Sequence, residues 1–216
     1  MSFTYHQITE RSLDRIAGLS DGVFAFAVTL IVFEIHVPDP GPIGTEAQLA
    51  SALFALAPRF VTYLLSLLTL GIFWSVQQTH LQYVSRADRK YMWIQLIYLA
   101  GISTLPFTTS LLAEFIGYRL ALVIYWLNIV VLGWTLLWAW FHARSAGLLR
   151  EEATADVTRA IWRRTVVAQL LYALGASLAI ANTYFSIGFI VLVQLYYALG
   201  LGPRIPLLRR TVIGRS

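Results

Sequence analysis

Six apolar runs separated by short polar or basic segments constrain this chain more than any other feature; they cover residues 18–37, 49–78, 91–113, 118–141, 162–182 and 184–201. A helix that crosses a bilayer takes about 20 mostly apolar residues, so the pattern predicts an all-α membrane protein in which residues 1–216 form a single domain of six transmembrane helices. Composition agrees with that class. Hydrophobic residues make up 58% of the chain and charged residues 12%, too apolar and too poor in charge for an ordinary soluble domain. There are no cysteines, which removes disulfides, thiolate catalysis and Cys-ligated metals together.

The basic residues are placed rather than scattered. Arg11 and Arg15 precede the first run; Arg86, Arg89 and Lys90 separate the second from the third. Arg144, Arg150, Arg159, Arg163 and Arg164 cluster about the fourth-to-fifth connection, and Arg204, Arg209, Arg210 and Arg215 follow the last. On the opposite side only Arg59 and Arg119 occur. Cytoplasmic loops carry the excess of Lys and Arg, so both termini are expected in the cytoplasm, and an even number of spans satisfies that parity. The same placement accounts for the high pI without nucleic acid as a partner. The expected setting is multi-pass in the cell membrane, in a bacterial inner membrane.

The first run is the unusual one. Residues 15–38 read RIAGLSDGVFAFAVTLIVFEIHVP, with Arg15, Ser20 and Asp21 at the start and Glu34 near the end of a segment otherwise apolar enough to span. An ionisable group at membrane depth is costly and faces protein or water, which makes Asp21 a candidate functional residue. At 100° per residue, Leu19, Gly22 or Val23, Phe26, Leu30, Phe33 and Val37 share one apolar stripe, while Asp21 lies about 140° round from Phe26. Positive-inside orientation brings the foot of the second run, with Trp74, Gln77, Gln78 and His80, to the depth of Asp21. Their indole, amide and imidazole groups are donors that suit a carboxylate. The expectation is a structural polar cluster of Ser20 and Asp21 against Trp74, Gln77 and His80 that fixes the rotation of the stripe. The Ser-Asp-Gly start of this run occurs nowhere else in the chain. A pathway lined by it therefore needs several subunits around an axis, or else lies within one chain.

Arg15-x-x-x-Leu19-Ser20-Asp21, with the Gly22-Val23-Phe24-Ala25-Phe26-Ala27-Val28-Thr29-Leu30 that follows, resembles the Arg-x-x-x-Phe-Ser-Asp signature of the transmembrane protein 175 family of potassium channels in its one-repeat prokaryotic form. Trp74, the Asp88 region and Leu105-Pro106-Phe107-Thr108-Thr109 are further points of likeness, so the resemblance is carried by the N-terminal half. It implies a homotetramer of six-span subunits whose first helices line a central cation pore, with no cofactor and potassium as the permeant ion. The positions that match the family's apolar constriction are Phe26, Leu30 and Phe33, with Thr29 and Val23 beside the pore and Arg15 as a motif residue. Leu19 stands where the family has Phe, Gln77 where it commonly has His, and Phe26 and Phe33 replace a smaller Ile or Leu. Hydrophobic constrictions gate by dewetting, which gives the implied gate a physical basis.

Plainer readings of the same residues stand beside this one. Phe26, Leu30 and Phe33 also suit a lipid-facing or internally packed stripe, and Asp21 a helix-start residue favoured by the dipole. Glu34 is either interfacial or part of an outer mouth. His6 and His142 lack ligand spacing. An enzyme is not expected: there is no His-Glu-x-x-His, no Gly-rich phosphate loop and no nucleophile set at a plausible depth. The alternatives to a passive potassium-permeable channel are a proton-conducting channel or a small secondary transporter using Asp21 or Glu34.

Overall fold

The computed structural model describes residues 5–201, with only the backbone for residues 5–12. Arg11 and the tail arginines counted above lie outside what it describes in full. Seven α-helices follow in order: α1 Tyr5–Val32, α2 Glu46–Ala55, α3 Ala57–Gln82, α4 Arg89–Glu114, α5 Arg119–Ser145, α6 Ala155–Ser177 and α7 Thr183–Ala198, with a short 3-10 turn, Leu178–Ile180, between the last two.

Local chemistry sets the boundaries. Asp88 caps α4 by accepting the Tyr91 backbone N–H at 2.6 Å, and Asn182 caps α7 through the N–H groups of Tyr184 and Phe185; such caps satisfy donors that the first turn leaves bare. Gly147, at φ +63°, supplies the left-handed residue that ends α5. The first helix stops at Val32 and a turn takes its place, so Phe33 and Val37 leave the helical stripe that periodicity assigns them, and Glu34 lies beyond the helix. The run of prolines at 38, 40 and 42 lies just beyond. The second apolar run is likewise not one helix: it breaks at Leu56, one residue before α3 starts with Pro58 in its first turn, the position where a missing N–H costs nothing.

The helices close into a ring: α1 packs on α3 and α4, α4 on α5, α5 on α6, α6 on α7, and α7 returns to α3. Ile31, Leu65, Leu70, Tyr98, Ile102, Leu122, Tyr125, Leu132 and Ile190 fill the shared core. Polar bonds cross it between helices. Gln194 of α7 donates to Thr69 of α3 at 2.6 Å, Thr69 pairs with the Tyr125 hydroxyl of α5 at 2.8 Å, and Ser66 pairs with Thr109 of α4. Interhelical hydrogen bonds of this kind are the usual glue between membrane helices. Pro106 sits inside α4, where Thr108 and Thr109 turn their hydroxyls onto the Leu105 carbonyl beside it. At one end, the connection after α3 is clipped to the connection after α5 by the Ser85 N–H on Leu148 and the Arg150 N–H on Tyr83, both at 2.8 Å.

Among the described residues, four helices are long and apolar enough to cross a membrane: Leu13–Val32 within α1, together with α3, α4 and α5. The α7 helix is apolar but 16 residues long, about 24 Å of rise. The first half of α6 carries Asp156, Arg159, Arg163 and Arg164.

Candidate functional site at the first helix

One side of α1 is inside the protein and the other is bare. Ile16, Ser20, Phe24, Ala27 and Ile31 are buried against α3 and α4. Leu19, Gly22, Ala25, Phe26 and Thr29 are exposed, with Phe26 at 65% and Leu19 at 49%, while Val23 and Leu30 sit half-buried at the flank. Phe33 is 71% exposed, in the turn beyond the helix rather than on it. The Thr29 hydroxyl donates to the Phe26 carbonyl of its own helix at 2.8 Å, leaving its oxygen outward. A ridge with Leu19 and Phe26 uncovered, on a helix whose other side is packed, is a surface awaiting lipid or other protein.

Polar groups, one exposed and one buried, hold α1 at a fixed rotation against α3. Asp21 accepts from the Trp74 indole N–H at 2.8 Å and from the Gln78 amide at 3.0 Å, both on α3. Ser20, fully buried, donates to the Ile16 carbonyl at 2.8 Å and accepts from the Gln77 amide at 3.0 Å. That same Gln77 amide also donates to Gln95 of α4 at 3.0 Å, so one buried side chain ties three helices. Gln95 went unnoticed in the sequence, where its signal is a lone amide amid the apolar residues of the third run. His80 departs from the expected cluster. It lies on the other side of α3, 2% exposed and in tilted contact with Trp140, ring centroids 5.3 Å apart. Helical rotation makes the difference, because residue 80 lies about 160° round the axis from residue 78 and about 120° from residue 74.

Arg15 is exposed and lines a groove with Leu19, Met92, Gln95 and Leu96 rather than joining an ion pair among the described residues. At the opposite end of α1 the Glu34 carbonyl, not its carboxylate, is the bonded group. Arg59 donates to it at 3.1 Å, to His36 at 3.2 Å and to Glu114 of α4 at 2.6 Å. Arg59 therefore clasps the loop after α1 to α3 and α4 instead of reaching away from the protein.

Asp88 and His142 form a second tie, between the start of α4 and the end of α5, at 2.9 Å. Burial opposes ionisation of Asp88. The Tyr91 N–H, the hydrogen bond and charge of His142 and the charge of Lys90 outweigh it and hold the carboxyl below its ordinary range. No group of three or more metal-ligating side chains occurs among the described residues.

Comparison with known proteins places this geometry. A family profile described as the endosomal/lysosomal potassium channel TMEM175 matches residues 15–106, the stretch that holds most of α1, all of α2 and α3, and most of α4. A potassium channel of Streptomyces collinus is 32% identical over 189 residues, covering 85% of this chain and 90% of its own. The crystal structure of a lysosomal potassium-selective channel TMEM175 homolog from Chamaesiphon minutus superposes with a TM-score of 0.76 at 27% identity, covering 88% of this chain and 98% of the other. The human endosomal/lysosomal proton channel TMEM175 is 33% identical over 110 residues, which span 49% of this chain and 21% of that protein.

Proposed function

This chain belongs to the TMEM175 family of ion channels, and from that premise we propose that it is a passive, potassium-permeable channel whose pore is lined by α1 from each of four identical subunits. The observation that carries the reading is the bare ridge of α1: Leu19, Phe26 and their neighbours are uncovered in a single chain, while Ser20 and Asp21 brace the same helix from behind. Four such ridges about a symmetry axis close a narrow apolar passage. In that passage Phe26 and Leu30 form the constriction, Phe33 stands at its outer end just past the helix, and Val23 and Thr29 flank it. A ring of this kind holds water back and gates by dewetting. Its named relatives in Streptomyces collinus and Chamaesiphon minutus are potassium channels, which favours potassium as the permeant ion.

The reading includes six spans, with α6 and α7 as the last two, both termini in the cytoplasm and a bacterial inner membrane as the setting. The distribution of Lys and Arg among the connections supports that orientation. Glu34 lies toward the outer mouth, where its carboxylate has no hydrogen-bond partner among the described residues. No cofactor is needed for passive conduction.

Proton conduction by the same pore is the second reading, favoured by one observation: the vertebrate relatives that share the α1 region are named proton channels. Reconstituted liposomes separate the two. Potassium should leave loaded vesicles down its own gradient with no pH gradient imposed, and Leu30→Asn or Phe26→Ala should raise that leak about tenfold, equivalent to ~1.4 kcal/mol off the barrier. Flux that requires a proton gradient sinks the potassium reading, and a lone subunit by native mass sinks the shared pore.

A further inference from the structure

Behind α3, away from α1, lies a partly open cavity of about 40 Å³ between α3, α5, α6 and α7. His80, Arg164, Gln169, Tyr172 and Tyr197 line it among apolar neighbours, and no carboxylate does. His80 is almost wholly buried, yet among the described residues neither of its ring nitrogens has a partner, and the Tyr197 hydroxyl has none either. The half-buried guanidinium of Arg164 lies 5.7 Å over the Tyr197 ring and joins no salt bridge among the described residues. A cation within a helix bundle without a counter-charge is costly, and so are buried donors with nothing to bond.

We propose that this cavity binds a small monatomic anion of the halide class, held by the Arg164 guanidinium, the His80 ring N–H and the Tyr197 hydroxyl. The donor set carries net positive charge, so water alone satisfies the hydrogen bonds but leaves the charge uncompensated. One water takes about 10–15 Å³ of such space, and the cavity therefore has room for a halide with one or two waters. Those waters serve the bare acceptors, the Gln169 Oε1 and the second nitrogen of His80. A bound halide joins α3 to α6 and α7 and acts as a structural ion, apart from the conduction pathway on α1.

The test uses the full-length protein in detergent, exchanged into potassium gluconate and then titrated with potassium chloride or bromide at constant ionic strength. The thermal midpoint of the wild type should rise saturably by about 2–8 °C. Arg164→Gln should lose that rise. His80→Phe, which fills the space with an apolar ring of similar shape, should lose it too and guards against a variant that fails to fold. Crystals grown in bromide should show an anomalous peak between Arg164 and His80. Equal midpoints in gluconate and chloride, a rise retained in both variants, or a cavity without bromide overturns the proposal. The readout is stability rather than flux, so the outcome is independent of the conduction reading.

Discussion

The last turns of α3 carry polar side chains on two sides, and the two sides are finished differently. Toward α1, Trp74, Gln77 and Gln78 each donate to a named oxygen on α1, and Gln77 reaches α4 as well. Toward α6 and α7, His80 makes no hydrogen bond and faces a cavity with an unpaired arginine. The first side is a strut whose donors all find oxygens on α1 or α4, with the Gln77 Oε1 and Gln95 Nε2 left over; the second has a cation with no counter-charge among the described residues. Polar residues within a membrane bundle thus do two jobs here, and the partners of each donor, not the residue types, tell them apart.

The largest effect is expected on the side that faces α1. Gln77→Ala strips the buried Ser20 and Gln95 oxygens of their donor and should lower unfolding free energy by about 2–3 kcal/mol, read as a thermal midpoint in detergent. If Gln77→Ala is neutral, the strut is not what holds α1.

The cavity side is tested by two glycines that bring α6 close to its neighbours. At Gly175 an added Cβ lies 2.7 Å from the buried Ile190, so Gly175→Ala should cost about 1–3 kcal/mol through overpacking of α6 on α7. At Gly133 it meets only the flexible end of Gln169. Gly133→Ala should therefore cost about 1 kcal/mol, the hydrogen bond from Gln169 to the Ile129 carbonyl. Reversal of that order in an unfolding series breaks the picture of α6 seated tightly on α7 and loosely on α5.

Asp21→Ala sharpens the comparison further. Its two bonds are exposed, so about 1 kcal/mol or less is at stake, with assembly weakened and flux per assembled channel unchanged. Flux lost from a channel of normal stability moves Asp21 from the strut to the permeation path.

The smallest effect concerns acid. Because the folded-state pKa of Asp88 is depressed, its contribution is present above the ordinary carboxylate value of about 4 and fades as pH falls through the lower folded value. Asp88→Asn should flatten that part of a pH–stability curve below pH 4; an unchanged curve means the Asp88 tie to His142 adds nothing.

The sequence by itself determined the class and the position of the unusual helix. Long apolar runs need a bilayer, and Arg15, Ser20 and Asp21 at the head of one run stand out because charge is expensive there. The 3.6-residue period also separated the Phe26 face from the Asp21 face. Only the tertiary structure decided where α1 stops, which removed Phe33 from the helix, and where the second run breaks, at Leu56. It also sent His80 away from Asp21, and it drew Gln95 and Arg164 into contacts that no local pattern marks. The physical reason is that a period fixes which residues share a face but not what that face meets. On α3, buried against protein on both sides, apolar and polar positions alternate without telling one neighbour from the other.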